Sequence, residues 1–227
     1  MTHLHEQLKN LRANLLEMAE LVRSQFKKSL MSLIDEDDDL ANEVLHNERR
    51  VNAMELKIDR DCENIFALLT PVAHDMRFVF GTLKINADLE RIADYAEGIS
   101  KLILLGEKKF DKSLIELIEL KRMFEVAYEM LKDVEDAYSN DDTRLARSVF
   151  ARDKQLNAIN EKVTSIVEDY VKLNTDQIKQ ALLLISIIRK LERVGDHITN
   201  IAEEVIFYKE AKVLKHGNKG GIEDVDL

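Results

Sequence analysis

Leu89 to Ile99 reads LERIADYAEGI, and Leu191 to Ile201 reads LERVGDHITNI. Both stretches carry Leu-Glu-Arg, an aliphatic residue, a small residue, Asp and a closing Ile, 102 positions apart. The match continues outward. ERRVNAME from Glu48 aligns with DKQLNAIN from Asp153 at an offset of 105, which also pairs Leu40-Ala41 with Leu145-Ala146 and Met18 with Met123. Met76, Phe80 and Leu83 pair with Ile178, Leu182 and Ile185 at the offset of 102. The two units therefore differ by a few residues lost after the second helix of the repeat. We read them as residues 1–106 and 107–227.

Composition points to helices. One Pro and seven Gly in 227 residues leave too little turn material for a sandwich or barrel. Hydrophobic residues at 45% support a core, and charged residues at 33% fit long helices with solvated faces. Periodicity predicts helices over about His5 to Ile34, Asp37 to Leu69 and Pro71 to Leu105, then 112–139, 142–173 and 175–210. Val44, Val51, Ile58 and Ile65 form the heptad stripe of the second. Pro71 is expected to open the third and Gly106 to close it. The expected fold class is all-α: two tandem three-helix bundles related by internal duplication, with a C-terminal tail KHGNKGGIEDVDL lacking regular structure.

The net charge of −10 disfavours nucleic acid and anionic membrane as partners. A single cysteine, Cys62, excludes an internal disulfide framework and a multi-cysteine zinc site, and suits a reducing cytosol. MTHLHEQLKNLRANLL has no apolar core of signal length, so a cytoplasmic location is expected. The longest apolar run, ALLLISII from Ala181, is far short of a membrane span.

Helical geometry assigns faces. In the third helix Ile85, Leu89, Ile92, Ala96, Ile99 and Ile103 share the core seam, and Glu90 and Asp94 fall on the opposite side with Met76, Leu83 and Ala87. The sixth helix repeats this with Ile178, Leu182 and Ile185 leading into Glu192, Asp196, Asn200 and Glu203. The apolar half of that side is expected to be buried where the bundles meet. The second helix offers Glu48, Asn52, Glu55 and Asp59, and the fifth offers Asp153 and Asn157. Hard oxygen donors from two neighbouring helices suit Mg²⁺, Mn²⁺, Ca²⁺ or iron. A duplicated salt-bridge network with Arg91 and Arg193 would recur in the same way, so spacing leaves both readings open.

Other motifs carry no chemistry. DEDDD from Asp35 lacks the sixth-position Gly and twelfth-position Glu of an EF-hand and reads as an acidic helix start. There is no Gly-rich phosphate loop, no HExxH and no defensible catalytic arrangement, so the chain reads as a non-enzyme. A ferritin-like di-iron enzyme requires Glu-x-x-His, but positions 93 and 195 are Ala and Gly.

The repeated LERIAD and LERVGD helices, the VNAME and LNAIN helices, and TPVAHDMR from Thr70 together resemble the PhoU family of phosphate-transport regulators, over about residues 5–210. The resemblance implies two three-helix bundles and a cytoplasmic negative regulator of phosphate uptake and the phosphate-starvation response. It implies contacts with the ATPase subunit of a phosphate ABC transporter and with a membrane sensor histidine kinase, which would bring the chain to the inner face of the membrane, and it allows a homodimer. It also implies a multinuclear metal cluster, of iron or of Mg, Mn or Zn, on surface carboxylates. By resemblance these map onto Glu48, Asn52, Glu90 and Asp94 in the first unit and Asp153, Asn157, Glu192, Asp196, Asn200 and Glu203 in the second. Where the second motif has Asn200 and Glu203 the first has Gly98 and Lys101, which implies a weaker or smaller first site. The alternative function is a metal-free helical scaffold.

Overall fold

A computed structural model describes residues 3–106, 109–214 and 224–226. The helices in chain order are α1 (His3–Ile34), α2 (Asp38–Leu69), α3 (Ala73–Leu104), α4 (Lys112–Leu117), α5 (Leu120–Asn140), α6 (Thr143–Leu173) and α7 (Ile178–Glu210), the last preceded by a 3₁₀ turn at Thr175–Gln177. The fold class is the expected one.

The repeat is visible in its turns as well as its helices. Glu36 and Asp141 both adopt the left-handed region, at φ 56° and 54°. The following Asp37 and Asp142 are N-caps, each accepting from two backbone N–H groups of the first turn. The Asp37 N–H donates to the Ser32 carbonyl at 3.0 Å, and the Asp142 N–H donates to the Ala137 carbonyl at 2.9 Å. Each pair stands at the offset of 105, so the α1–α2 and α5–α6 connections are one turn written twice. The acidic run at Asp35 is thus a helix start, as its composition indicates.

Four features differ from the sequence reading. The fourth helix is broken, with Glu119 at φ 51° between α4 and α5. Ile118 and Leu120 are both fully buried. In an unbroken helix they would point about 200° apart, so the kink is what lets both reach the core. Pro71 precedes the first residue of α3 by two positions instead of opening it, and Gly106 does not close α3 in the left-handed region: no described glycine has positive φ. The tail was expected to lack regular structure. Its described part, Asp224–Asp226 (β2), instead pairs antiparallel with Lys212–Leu214 (β1), with Val213 opposite Val225. Ala211, left-handed at φ 58°, turns the chain out of α7 into this pair.

Within the first unit α1, α2 and α3 pack on one another, and within the second α5, α6 and α7 do so. The units join through α3 against α7 and α1 against α5, and the buried apolar side chains form one continuous core. The α3–α7 pair is antiparallel. Lys84 Nζ donates to Glu204 at 2.7 Å and Asp88 meets His197 at 2.7 Å, while Gly98 lies under the Lys190 side chain. Met76 and Phe80 are each 43% exposed, and Ile178 and Leu182 are 45% and 59% exposed. The apolar half of the far side therefore does not form the junction, contrary to expectation. The junction uses Phe78, Gly81 and Thr82, about half a turn away on the side of the Ile85/Leu89 seam, which meet Tyr138 and Tyr208.

One end of the junction is closed by a polar network. The Arg12 guanidinium stacks over Phe78 and Tyr138 and donates to Asp141 at 2.9 Å and to the Tyr138 carbonyl. Asp141 also accepts from Tyr208 at 2.8 Å and Lys209 at 3.1 Å. These donors hold the Asp141 carboxyl below its ordinary pKa against the opposing effect of burial, while burial raises both tyrosine hydroxyls.

The two units solve one packing problem with different residues. A Cβ on Gly195 would lie 2.6 Å from Leu156 Cδ1. The equivalent residues of the first unit are Ala93 and Val51, both fully buried. The larger Leu in one unit is matched by the absence of a Cβ opposite it. Gly195→Ala is expected to destabilise the protein by about 1–2 kcal/mol, the overpacking cost exceeding the helix-propensity gain. Adding Leu156→Val should return stability to within about 1 kcal/mol of the parent, a coupling read from a denaturation double-mutant cycle. Strict additivity of the two substitutions would refute the compensation.

Candidate metal centre

In the first unit α2 and α3 face each other with acidic side chains. Glu48, on α2, is 8% exposed, and its carboxylate lies beside the Asn52 side chain one turn further along. It is buried because it flanks the Val44/Val51/Ile58 seam, so α3 covers it. Glu90 and Asp94 on α3 have side chains 17% and 40% exposed. Burial pushes the Glu48 carboxyl up to about 7, with Asp94, Glu97 and Glu90 adding to the rise and the neighbouring Asn52 amide opposing it. Glu90 is likewise raised, first by burial and then by Asp94, with Arg91 opposing. Glu55 is raised by burial and by Asp59.

The sequence leaves open whether each Glu/Asp pair is a cation site or part of a salt-bridge network with Arg91 and Arg193. The structure forms the arginine pairs. Arg91 spans its pair, with Nη1 donating to Asp94 at 2.9 Å and Nε 3.6 Å from Glu90. Arg193 does the same, at 3.2 Å from Asp196 and 3.8 Å from Glu192. Both arginines are about three-fifths exposed, at 60% and 62%, so these pairs are worth little and are easily parted.

The second unit is arranged differently. Asn157 donates to Asp153 Oδ2 at 2.9 Å, beside the bare Cα of Gly195. Glu192 and Asp196 lie one helical turn apart on α7, and Glu203 is half-buried further along. Asn200, a turn beyond Asp196, reaches across to the other unit. Its amide donates to Asp88 of the first unit at 3.1 Å, alongside His197. It serves the junction between the units.

Among the described residues no three carboxylate, imidazole or thiolate groups are gathered as a formed metal site. The donors still fit a hard cation in kind. They are oxygen ligands from two helices, and the Glu48 carboxylate among them is buried. Cys62 offers no softer alternative, since it is buried on the Val79 carbonyl and its thiol is pushed up to about 12.

Sequence reasoning missed Glu97 and the Asp88–His197–Asn200 contact. Glu97 stands seven residues after Glu90, on the same helical face, but its counterpart in the second unit is Thr199. Looking for repeated residues hides a residue present once. Asp88 lies outside both quoted motifs, and nothing local marks it.

Glu48 makes a pH-dependent contribution. Its folded pKa, about 7, lies above its ordinary value of 4.5, so the folded state holds the proton more tightly than the unfolded state. Below the unfolded value there is no penalty. Stability falls as pH rises through the interval, and the full penalty is present above the folded value. With chelator present, Glu48→Gln should therefore raise stability by about 1–2 kcal/mol near pH 8, and the gain should vanish near pH 4. An equal increment at both pH values, by thermal or urea denaturation, would show that the carboxylate carries no such penalty.

Comparison with known proteins accords with this architecture. The family model described as PhoU domain matches residues 15–103 and again 120–205. The chain is 31% identical over 215 residues to the phosphate-specific transport system accessory protein PhoU homolog of Zymomonas mobilis, covering 95% of this chain and 90% of the relative. It is 30% identical over 210 residues to the phosphate-specific transport system accessory protein PhoU of Escherichia coli, covering 92% and 86%. The crystal structure of PhoU from Pseudomonas aeruginosa superposes with a TM-score of 0.86 at 32% identity, covering 91% of this chain and 99% of that one. The phosphate transport system regulatory protein PhoU from Streptococcus pneumoniae shares the fold, with a TM-score of 0.81 at 24% identity over 94% and 100% of the chains. Two matched units and relatives of nearly equal length place this chain in the PhoU domain family.

Proposed function

We propose that this protein is an accessory regulator of a phosphate transport system, acting negatively on phosphate uptake and on the phosphate-starvation response. In this reading it is an adaptor between the ATPase subunit of the transporter and a sensor histidine kinase, working at the cytoplasmic side through those partners. The observation that carries the reading is the family match in both units, together with relatives named as accessory proteins of phosphate-specific transport. No described helix is long and apolar enough to cross a membrane.

The cation part of the proposal rests on a separate observation, the buried Glu48 carboxylate, which burial and the charges of Asp94, Glu97 and Glu90 hold above its ordinary pKa. Asp153, Glu192 and Asp196 would serve the second unit. A bound divalent ion would supply positive charge there, and Arg91 and Arg193 would swing into solvent to admit it. The second reading, a metal-free scaffold, is favoured by those same arginine pairs, which already neutralise part of each face.

Deletion of the protein should derepress phosphate-starvation genes at high external phosphate. Unchanged transcript levels in the deletion strain would sink the regulatory reading. For the cation, Mn²⁺, Mg²⁺ or Fe²⁺ should raise the melting temperature of the parent by mass action, and this rise should shrink in Glu192→Gln/Asp196→Asn. If neither protein responds to any of these ions, the acidic faces are arginine-paired surface.

A further inference from the structure

The two units differ inside their cores. Gln25 on α1 is 1% exposed, and neither its amide nitrogen nor its amide oxygen has a hydrogen-bond partner. Ser100 on α3 is fully buried, and its hydroxyl is likewise unpartnered. Ser29 and Ser32 are buried on the same stripe of α1 as Gln25. Their hydroxyls turn back onto their own helix, donating to the Phe26 and Ser29 carbonyls at 2.8 and 2.9 Å. The equivalent positions of the second unit hold Met130, Val134, Ala137 and Ala202, all buried and apolar. We propose that the C-terminal end of α1, Lys27 to Ile34, is a segment made to open. It leaves its groove on α2 and α3 in local excursions, while the second unit and the junction stay closed.

Printed contacts fix where these polar groups lie. Lys28 pairs with Glu43 and Glu17 with Arg50 across the antiparallel α1 and α2, which sets Gln25 and Ser29 to either side of Val44. Leu15 and Ala19 line a small cavity with Ile85 and Leu89, which sets Ser29 level with Ile99 and Ser100. The polar groups thus fill successive layers at one end of the first core. A buried polar group left unpaired costs free energy that an apolar side chain of similar size does not. Serine hydroxyls bonded back to their own helix weaken that helix further. The cost falls where α1 is held least. Up to Phe26, α1 is tied to other helices through Arg12 to Asp141, Asn14 to Asp61 and Arg23 to Glu135, and Phe26 itself stacks on Phe124 at 4.5 Å. Beyond Phe26 the described side-chain ties are Lys28 to Glu43 and, in the turn, Glu36 to Lys109. Glu43 and Lys109 are 47% and 77% exposed, so these pairs hold little. Phe26 is therefore the last firm anchor and the hinge. In α5 the matching segment keeps Val134, Ala137 and Tyr138 buried and ends in the same turn, so fraying at the helix end is common to both units. The opening depends on neither the regulatory nor the cation reading. It makes the first unit the half that changes shape, since a partner binding the open form would shift the population toward it.

The test is native-state amide hydrogen exchange of the full-length protein in chelator, read by mass spectrometry. Residues 27–34 should be protected about a hundredfold less than residues 132–139. Gln25→Met with Ser100→Ala copies the second unit and should slow exchange in 27–34 by about tenfold to a hundredfold, leaving α5, α6 and α7 unchanged. The reciprocal Met130→Gln with Ala202→Ser should speed exchange in 132–139. Low urea should barely alter exchange of 27–34, because a local opening exposes little surface. If the parent protects 27–34 as well as 132–139, there is no such opening, and this comparison needs no substituted protein to fold. If Gln25→Met/Ser100→Ala slows exchange equally along the whole chain, the polar layer acts on global unfolding alone and the proposal is overturned. It is overturned equally if that variant leaves 27–34 as it was.

Discussion

The antiparallel contact of α3 with α7 is the constraint on which the rest of the molecule depends. Each three-helix unit could bury its own seam, but the repeat places a second set of buried groups on α3 and α7 that neither unit can cover alone. Phe78, Gly81 and Thr82 are buried only because Tyr138 and Tyr208 come from the other unit. Gly81 allows this approach, since a Cβ there would stand 3.3 Å from the Tyr208 ring. Burial of this kind is non-directional, and the charged pairs fix the register. Lys84 with Glu204, Asp88 with His197 and Arg12 with Asp141 are satisfied together in one alignment of the two units.

That register also breaks the symmetry of the repeat. Equivalent positions 88 and 190 carry Asp and Lys. Asp88 draws Asn200 and His197 toward the first unit, while the Lys190 ammonium lies over Tyr95 and fills the space beside Gly98. A duplicated chain that packs on itself has one contact made by two copies of the same helix. Substitutions there act on both halves at once, so divergence is channelled into complementary pairs. Leu156 with Gly195 against Val51 with Ala93 is the apolar form of the same divergence.

Glu48 shows how a seam-flanking position becomes chemically active. A carboxylate at the edge of a heptad stripe is ordinarily solvated, but the neighbouring helix removes that water without providing a donor. The resulting free-energy cost is increased by the like charges of Asp94, Glu97 and Glu90. The arginines that neutralise the exposed pairs do not reach this buried oxygen pair.

Much of this was legible in the chain itself. The offsets of 105 and 102 determine two like units, and heptad spacing determines the helices and the inward seam, because burial of one stripe per helix is a local periodic requirement. The placement of Glu90 and Asp94 away from that seam followed from the same arithmetic, as did the acidic start of α2. What the sequence could not decide is whatever depends on which helix lies opposite. The kink at Glu119, the half-exposed Met76 and Phe80, and the diversion of Asn200 to Asp88 all arise from contacts between residues far apart in the chain. So does the burial of Glu48, whose own helix marks it only as an edge residue. Periodicity reports the face a side chain takes on its helix, while desolvation and pairing are set by the neighbour, and the neighbour is chosen by the packing of the whole.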